Sequence, residues 1–251
     1  MDGPSEMDAQ PEMKASVRVS VVFPAYNEAA KLELAVEKVT QALDEFTRSY
    51  EIIIAEDGST DGSDKIAAVL AEKYNFVRHI HGEKRLGRGA ALKNAFKQSS
   101  GEVLVYMDLD LATNLEHLKE LVEAVESEGY DFATGSRLLP ESKVKRSRTR
   151  NIVSKTYNFM VRELLGSKVG DHQCGFKAFR RELLMVLLDE VMANHWFWDT
   201  EVLVRGYRRG YRIKEIPISW KGGRETKVRL IRDSFNMGYQ LLSLWWHLKR
   251  Q

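Results

Sequence analysis

EVLVYMDLDLAT, residues 102–113, is the stretch around which this chain is organised. Val103 to Met107 is a short apolar run, which predicts a buried strand. The run ends in Asp108-Leu109-Asp110, so two carboxylates lie one residue apart where the strand stops. Desolvation and mutual repulsion both oppose their ionisation, and a hard divalent cation such as Mg²⁺ or Mn²⁺, carrying a phosphorylated ligand, relieves both. A solvated turn after the strand is the alternative at this point.

The chain before and after this stretch alternates between strand and helix patterns. Strands are predicted at 18–23, 51–55, 76–80, 103–107 and 130–134, and helices at about 32–43, 61–73, 90–97 and 115–127. This alternation predicts an α/β fold with a parallel sheet covered by helices on both faces. In such sheets ligands bind beyond the carboxyl ends of the strands.

Polar side chains follow three of these strands. Tyr26-Asn27-Glu28 comes after the first strand, Glu56-Asp57 ends the second, and Asp108 and Asp110 end the fourth. Asn27 is also predicted to cap the helix that follows it. Because the strands are parallel, these loops are expected to converge on one edge of the sheet and form a site there.

The second half of the chain combines helical segments, a basic run and an aromatic cluster. Helices are predicted at 152–165, 181–191 and 201–209, and an edge strand at 211–220. The basic run, residues 143–150, predicts a charged loop; no nucleic-acid motif accompanies it, and an anionic phosphate or lipid surface is the better partner. Asp199 lies among three aromatic residues, so its pKa is expected to be raised if it faces inward.

Composition sets outer limits on function. The 251 residues carry a net charge of +2, with 43% hydrophobic and 29% charged residues, as in an ordinary globular protein. The single cysteine, Cys174, excludes an internal disulfide. His79 and His81 point to one face of a strand, but no third ligand accompanies them in the sequence, so they do not predict a zinc site.

Three segments are predicted along the chain. Residues 1–16 are expected to be a disordered leader, 17–228 the main domain, and 229–251 an amphipathic helix. Trp245 and Trp246 with basic flanks suit a helix at a membrane interface, although a helix docked on the domain is equally compatible. No run of about 18 apolar residues exists, so no transmembrane helix is predicted.

Six motifs resemble the GT-A-fold family 2 glycosyltransferases, and among them the dolichyl-phosphate sugar synthases. They are VFPAYNE at 22–28, EDGSTD at 56–61, GRGAAL at 87–92, DLD at 108–110, GSR at 135–137 and QCGFK at 173–177. The resemblance extends from residue 17 to about 240. The motifs at 171–177 and 196–201, and Ala112-Thr113, are more similar to dolichyl-phosphate glucosyltransferases than to mannosyltransferases.

The sequence departs from this family in three places. Leu109 replaces the usual alanine of the acidic triplet, and Ala112 stands where mannosyltransferases have glutamine. The transmembrane helices of many relatives are not found, which leaves the mode of membrane attachment open.

The resemblance implies a role for each motif residue. Asp108 and Asp110 would hold the metal, Mg²⁺ or Mn²⁺. The expected residues for the nucleotide sugar are Pro24, Tyr26, Glu28, Asp57, Arg88, Asp108, Leu109 and Asp110. The acceptor phosphate is expected to meet Arg137, Lys177, Arg224 and Lys227. Residues expected to be catalytic are Asp110, Arg137, Lys177 and Asp199.

The implied reaction is inverting transfer of a sugar from a nucleotide diphosphate sugar, with UDP-glucose preferred, to dolichyl or another polyprenyl phosphate. A phosphate acceptor is already anionic, so it needs positive charge more than a strong base. GDP-mannose is the alternative donor, and a non-catalytic nucleotide-sugar-binding protein at a membrane is the second alternative. The expected partners include a membrane surface, at its cytoplasmic face, and no nucleic acid.

Overall fold

The computed structural model describes residues 16–222 and 230–250. The predicted leader lies almost wholly outside the described residues. Arg224 and Lys227, two of the expected acceptor-phosphate ligands, also lie outside them.

Over residues 16–222 and 230–250, seven strands form one mostly parallel sheet, and two short strands form a separate ribbon. The strands are β1 Val19–Ala25, β2 Tyr50–Asp57, β3 Val77–Gly82, β4 Val103–Met107, β5 Phe132–Ser136, β6 Lys143–Lys145, β7 Phe176–Arg180, β8 Ile213–Pro217 and β9 Ser219–Lys221. The sheet order is β3-β2-β1-β4-β7-β5-β8, and β6 pairs with β9. The chain adds strands on one side of β1 and then returns to its other side with β4. The acidic pair therefore lies at the switch point of the sheet, where ligands bind in such folds.

Helices cover both faces of the sheet, as the sequence pattern predicts. They are α1 Ala29–Asp44, α2 Ser63–Lys73, α3 Arg88–Gln98, α4 Leu118–Glu126, α5 Arg148–Leu165, α6 Arg181–Leu188, α7 Trp198–Arg208 and α8 Leu230–Leu248. Helices α1, α2 and α4 pack in one hydrophobic cluster. Helices α3 and α5 to α8 pack in the other, on the opposite face. The inner strands are apolar on both sides because both sides are covered.

Strand β7 runs antiparallel to both of its neighbours, β4 and β5. Its first residues therefore lie at the edge where the parallel strands end. The loop before β7, residues 171–175, is brought beside the acidic pair: the N–H of Asp108 donates to the carbonyl of Gly175 at 3.1 Å.

Two predicted segments differ in the structure. The predicted edge strand at 211–220 is two strands, because β8 pairs with β5 while β9 leaves the sheet and pairs with β6. The basic run is not a loop throughout, since it forms β6 and the first turn of α5. The N–H of Lys221 donates to the carbonyl of Ala112 at 2.8 Å, so this ribbon is held against the loop that carries the acidic pair.

Within the described residues, none of the helices combines the length and apolar character needed to cross a bilayer. Helix α8 docks on the domain through Leu241 and Leu244, which are buried, while Trp246 on the same helix is exposed. The helix thus has one face on the protein and another toward solvent.

Candidate active site

The loops after β1 and β2 hold each other in place. Asn27 has a positive φ of 52°, and its side-chain oxygen accepts from the N–H of Thr60 at 2.8 Å. The N–H groups of Glu28 and Ala29 donate to Ser63 Oγ at 2.8 Å and Asp61 Oδ2 at 3.1 Å. The prediction that Asn27 caps α1 is therefore wrong: the second loop satisfies the free N–H groups at the start of this helix, and Asn27 binds that loop instead.

Asp57 anchors a third loop to the same edge. Its carboxylate is buried and accepts from the N–H groups of Leu86 and Gly87 at 2.7 and 2.8 Å. Arg85 from this loop stacks over the ring of Tyr26, with its guanidinium carbon 3.8 Å from the ring centroid. The predicted nucleotide residues Asp57 and Tyr26 are thus joined by the basic loop that leads into α3.

Asp108 and Asp110 lie on a tight turn at the end of β4. Leu111 after them has a positive φ of 47°, which is strained for leucine, and its N–H donates to the carbonyl of Asp108. Although Asp110 is exposed, partial desolvation by neighbouring atoms and the negative charge of Asp108 raise its pKa. The side chain of Leu109 is 5% exposed and packs in the core, so this residue offers a nucleotide only its backbone.

Gly175 makes room for Asp108. A Cβ atom on this glycine would lie 2.0 Å from Asp108 Oδ2. Any side chain here would displace the carboxylate, so the glycine of the QCGFK motif is explained by close packing against the acidic pair.

Arg88, at the start of α3, points to the acidic pair rather than to solvent. Its Nη2 donates to Asp108 Oδ1 at 2.5 Å. Its guanidinium lies over the rings of Tyr106 and Trp196, 5.2 and 5.1 Å from their centroids. These contacts place the positive charge of Arg88 at the switch point of the sheet, beside the two carboxylates.

Behind Arg88 lies a buried group of Lys177, Asp199 and Tyr106. Lys177 Nζ donates to Asp199 Oδ1 at 2.7 Å, and the hydroxyl of Tyr106 donates to the same oxygen. Lys177 also donates to the carbonyl of Cys174 and contacts the Tyr106 hydroxyl at 3.4 Å. Burial lowers the pKa of Lys177 and raises the pKa of Asp199, as expected for an inward-facing carboxylate.

This geometry changes the expected role of Lys177. The side chain is 0% exposed, and the three acceptors take its three donors, so none is left for a phosphate. Lys177 is therefore not placed to contact an acceptor phosphate directly, contrary to the expectation from the sequence. Lys177 instead positions Asp199 and Tyr106, and the ring of Tyr106 supports Arg88.

Arg137 and Asp171 form a second buried ion pair at the end of β5. Arg137 donates to both carboxylate oxygens, with Nε–Oδ2 at 2.7 Å and Nη2–Oδ1 at 2.9 Å, and its backbone N–H adds a third bond. Burial alone would raise the pKa of Asp171, but the charge and hydrogen bonds of Arg137 hold it well below its usual range. The guanidinium lies 5.8 Å from the ring centroid of Trp220 in β9.

Arg146 adds a second guanidinium on this side of the site. It is half-buried, and its buried Nε has no hydrogen-bond partner within the described part of the chain. Burial and then the positive charge of Arg137 lower the pKa of Arg146. Two neighbouring guanidinium groups that repel each other favour an anion between them.

The structure brings most of the predicted residues to one edge of the sheet. Glu28 pairs with Lys31 at 2.6 Å, and both charges act on Asp110. Pro24 lies in β1, beside the end of β2. Sequence reasoning did not single out Asp171 or Tyr106, and it named Arg146 only as part of a basic run. Asp171 begins the recognised DxQCGFK motif, which could have pointed to it.

The acidic pair fits a hard divalent cation. Asp110 is exposed, and the repulsion from Asp108 that raises its pKa would be relieved by a cation between the two carboxylates. Asp108 Oδ1 is bound to the guanidinium of Arg88, whereas Asp110 Oδ1 accepts from the backbone N–H of Ala112 at 3.1 Å, so Asp110 is the residue better able to bind a cation.

Comparisons with known proteins identify relatives of this chain. The chain is 48% identical over 250 residues to glycosyltransferase AglD of Haloferax volcanii, a match that covers 99% of this chain and 40% of that protein. It is 29% identical over 243 residues to dolichyl-phosphate beta-glucosyltransferase of Saccharomyces cerevisiae, covering 89% of this chain and 73% of that enzyme. The chain thus spans well under half the length of its archaeal relative.

Solved structures share the fold. Glucosyl-3-phosphoglycerate synthase from Mycobacterium tuberculosis, in complex with UDP, superposes with a TM-score of 0.70 at 24% identity, over 92% of this chain and 81% of that one. The mannosyltransferase PcManGT from Pyrobaculum calidifontis, in complex with GDP-Man and Mn²⁺, superposes with a TM-score of 0.58 at 22% identity, over 87% and 61%. The profile of glycosyl transferase family 2 matches residues 20–188. The chain therefore belongs to glycosyl transferase family 2.

Proposed function

We propose that this chain catalyses inverting transfer of a hexose from a nucleotide diphosphate sugar to dolichyl or another polyprenyl phosphate. One observation carries the proposal: the acidic pair Asp108 and Asp110 and the guanidinium groups of Arg137 and Arg146 meet at one edge of the sheet. Such a site can bring two anionic substrates together, one through a cation and one through arginines.

On the donor side, Asp110 with Asp108 would hold Mg²⁺ or Mn²⁺, which supplies neutralisation of the charge that develops on the departing diphosphate. Arg88 adds a fixed positive charge beside the same pair. Pro24, Tyr26, Glu28 and Asp57 line the edge where the nucleoside would bind, and the backbone of Leu109 completes that surface.

On the acceptor side, Arg137 and Arg146 would orient the lipid phosphate. A phosphate monoester is anionic at neutral pH, so attack on the anomeric carbon needs little help from a base. Asp199, bound to Lys177 and Tyr106, would hold the donor side of the site rigid rather than remove a proton. Arg224 and Lys227 stay candidate acceptor ligands.

We infer that UDP-glucose is the donor. The yeast relative is named a dolichyl-phosphate beta-glucosyltransferase, and the motifs at 171–177 and 196–201 are of that type. GDP-mannose is the alternative; the structural neighbours solved with UDP and with GDP-Man are both under 25% identical and support the fold alone. A non-catalytic binding protein is less favoured, because the site has both the acidic pair for a metal and the arginines for a second anion.

We further propose that the chain works at the cytoplasmic face of a membrane. Helices α5 and α8 contact each other and expose apolar side chains on the same side of the sheet. We call this surface the α5–α8 patch; its exposed residues are Ile152, Val153, Phe159, Met160, Leu164, Tyr239, Leu242 and Trp246. Basic residues at the start of α5 and the end of α8 flank it, as at interfacial helices.

The test is a transfer assay with radiolabelled UDP-glucose, GDP-mannose and other nucleotide sugars, with dolichyl phosphate in detergent and Mn²⁺. Transfer from UDP-glucose is expected, and transfer from GDP-mannose alone would overturn the donor assignment. Asp110→Asn is expected to lose transfer while circular dichroism shows an intact fold. Turnover unchanged in that variant would contradict the mechanism.

Arg146→Ala separates the acceptor side from the donor side. Loss of one hydrogen bond to a charged group costs about 1.5–3 kcal/mol, so the KM for dolichyl phosphate is expected to rise roughly 10- to 100-fold. The exposed Lys119→Ala in α4, on the other face of the sheet, is the matched control.

A further inference from the structure

Three potential metal ligands meet at the ends of β2 and β3, away from the acidic pair. In the register of these parallel strands Glu56 is opposite His81, and His79 lies two residues earlier on the same face of β3. One ligand atom from each of Glu56, His79 and His81 lies within 4.8 Å of the others. The sequence showed only the two histidines; the neighbouring strand supplies the third ligand.

The bonding within this group is incomplete. Glu56 is fully buried at its side chain, and its Oε2 lies 2.6 Å from His81 Nδ1. Its other oxygen accepts from the N–H of Ser59, which fixes the carboxylate plane. His79 Nε2 is buried and has no hydrogen-bond partner among the described residues, which is a costly state for a ring nitrogen.

We propose that Glu56, His79 and His81 form a binding site for a borderline transition-metal ion of the Zn²⁺ or Co²⁺ class. Two imidazoles and one carboxylate are the donor set that such ions prefer, whereas Mg²⁺ and Mn²⁺ favour oxygen ligands. Ligand atoms around a tetrahedral ion lie about 3.4 Å apart, given metal–ligand bonds of about 2.0–2.2 Å. To reach that distance, the Glu56–His81 pair at 2.6 Å would have to open and the longer separations, all within 4.8 Å, would have to close.

The proposed metal site is open to solvent, and its carboxylate ligand is held in place by a further hydrogen bond. His81 is half exposed at its side chain, so an ion can reach the group from solvent and keep a water as fourth ligand. The bond from Ser59 to Glu56 acts as the outer support that metal-binding carboxylates usually have. The ion would join β2 to β3 directly before Asp57 and Gly82, at the base of the loop that Asp57 anchors.

The proposal is tested by titrating the metal-stripped full chain with Co²⁺ and recording visible absorption, followed by displacement with Zn²⁺. We expect one equivalent of Co²⁺ to give the intense bands of a low-coordinate site with nitrogen ligands. His81→Asn, at a half-exposed position, is expected to lose these bands. It should also weaken Zn²⁺ binding by more than about tenfold, because loss of a residue that only supports a ligand already weakens metal binding about tenfold. His79→Asn is expected to do the same.

Two control variants exclude other sites. Asp110→Asn removes a ligand of the acidic pair, and His247→Asn removes an exposed histidine on α8; both are expected to keep the Co²⁺ bands. Zn²⁺ should also raise the melting temperature of the wild type but not of His81→Asn. No Co²⁺ or Zn²⁺ binding by the wild type, or bands lost only in Asp110→Asn, would overturn the proposal and leave a simple Glu56–His81 ion pair.

Discussion

Lys177 and Asp199 form one buried ion pair. Because both side chains are shielded from solvent, removing one changes the pKa and the stability contribution of the other. Both are nearly inaccessible, and their atoms meet at 2.7 Å. Removing one partner leaves the other buried without its counter-charge, which typically costs about 3–5 kcal/mol of unfolding free energy. The pair is therefore expected to tolerate single substitutions poorly.

The two single variants are expected to show opposite pH dependence of stability. In the wild type, burial lowers the pKa of Lys177 from its ordinary 10.5 to about 7, and the same burial is expected to lower it in Asp199→Asn. The unfolded chain then binds more protons, so stability rises with pH between about 7 and 10.5. In the wild type, burial raises the pKa of Asp199 from its ordinary 3.8 to about 7. The same burial is expected to raise it in Lys177→Met, so the stability of that variant should fall as pH rises from 3.8 to about 7.

Urea unfolding at a series of pH values measures both slopes. The double variant Lys177→Met/Asp199→Asn has neither group, so it is expected to lose both slopes relative to the wild type and to be more stable than either single variant. Equal slopes in the two single variants would mean that neither group is desolvated as the structure indicates.

At the scale of elements, the two loops after β1 and β2 act as one unit because each supplies hydrogen bonds that the other lacks. Ser63 and Asp61 accept hydrogen bonds from the N–H groups at the start of α1, although Ser63 is the first residue of α2 and Asp61 lies just before it. We therefore expect a change in the EDGSTD motif to affect the residues after β1, which line the proposed nucleoside pocket.

Ser63→Ala is expected to lower the unfolding free energy by about 1 kcal/mol, as the loss of a helix cap usually does. Because the cap spans two loops, the affinity for UDP should fall as well. Urea unfolding and calorimetric titration with UDP and Mn²⁺ measure the two effects. Lys65→Ala, an exposed position in α2, is the control and should change neither; a loss of stability with unchanged UDP affinity would show that the loops are not coupled.

The strands and helices of the first half could be predicted from the sequence because their patterns are local. The apolar run from Val103 to Met107 predicts a buried strand without knowledge of the rest of the chain. Its end then locates Asp108 and Asp110 at the edge of the sheet. The orientation of β7 could not be predicted, since five residues carry no signal for direction. Lys177 looked like a surface ligand, but β7 lies between β4 and β5 in the sheet, and helices cover both faces.

Partners distant in the sequence escaped prediction for the same reason. Asp171 is 34 residues from Arg137, and only the antiparallel course of β7 brings its loop to the end of β5. Glu56 is 25 residues from His81, and only the register of β2 with β3 makes it a third ligand. In each case the sequence shows the residue, but only the fold shows which side chain lies beside it.

At the scale of the whole molecule, the β6–β9 ribbon links the α5–α8 patch to Arg137 and Arg146, the arginines proposed to bind the acceptor. Arg146 directly follows β6, and α5 begins two residues later. The ribbon is bonded through Lys221 to the loop of the acidic pair. A membrane contact made by α5 would therefore present lipid phosphates, which lie at the bilayer surface, to the side of the site that carries Arg137 and Arg146.

This arrangement predicts that the patch matters only for an acceptor embedded in a membrane. Phe159→Ser is expected to raise the KM for dolichyl phosphate in anionic vesicles by roughly tenfold or more, because burying a phenylalanine is worth about 1.5–3 kcal/mol. The same variant should not change the KM for a short, water-soluble prenyl phosphate, since the arginines and the acidic pair are untouched. Added salt should weaken vesicle binding of the wild type.

Val69→Ser is the matched control, because Val69 is 58% exposed, like Phe159 at 54%, but lies on α2 at the other face of the sheet. It is expected to leave vesicle binding and both KM values unchanged. If Val69→Ser weakens vesicle binding as much as Phe159→Ser does, exposed apolar area in general and not the α5–α8 patch governs the contact. If Phe159→Ser raises the KM for the soluble acceptor equally, the helix acts on the site itself, and membrane docking by this patch is refuted.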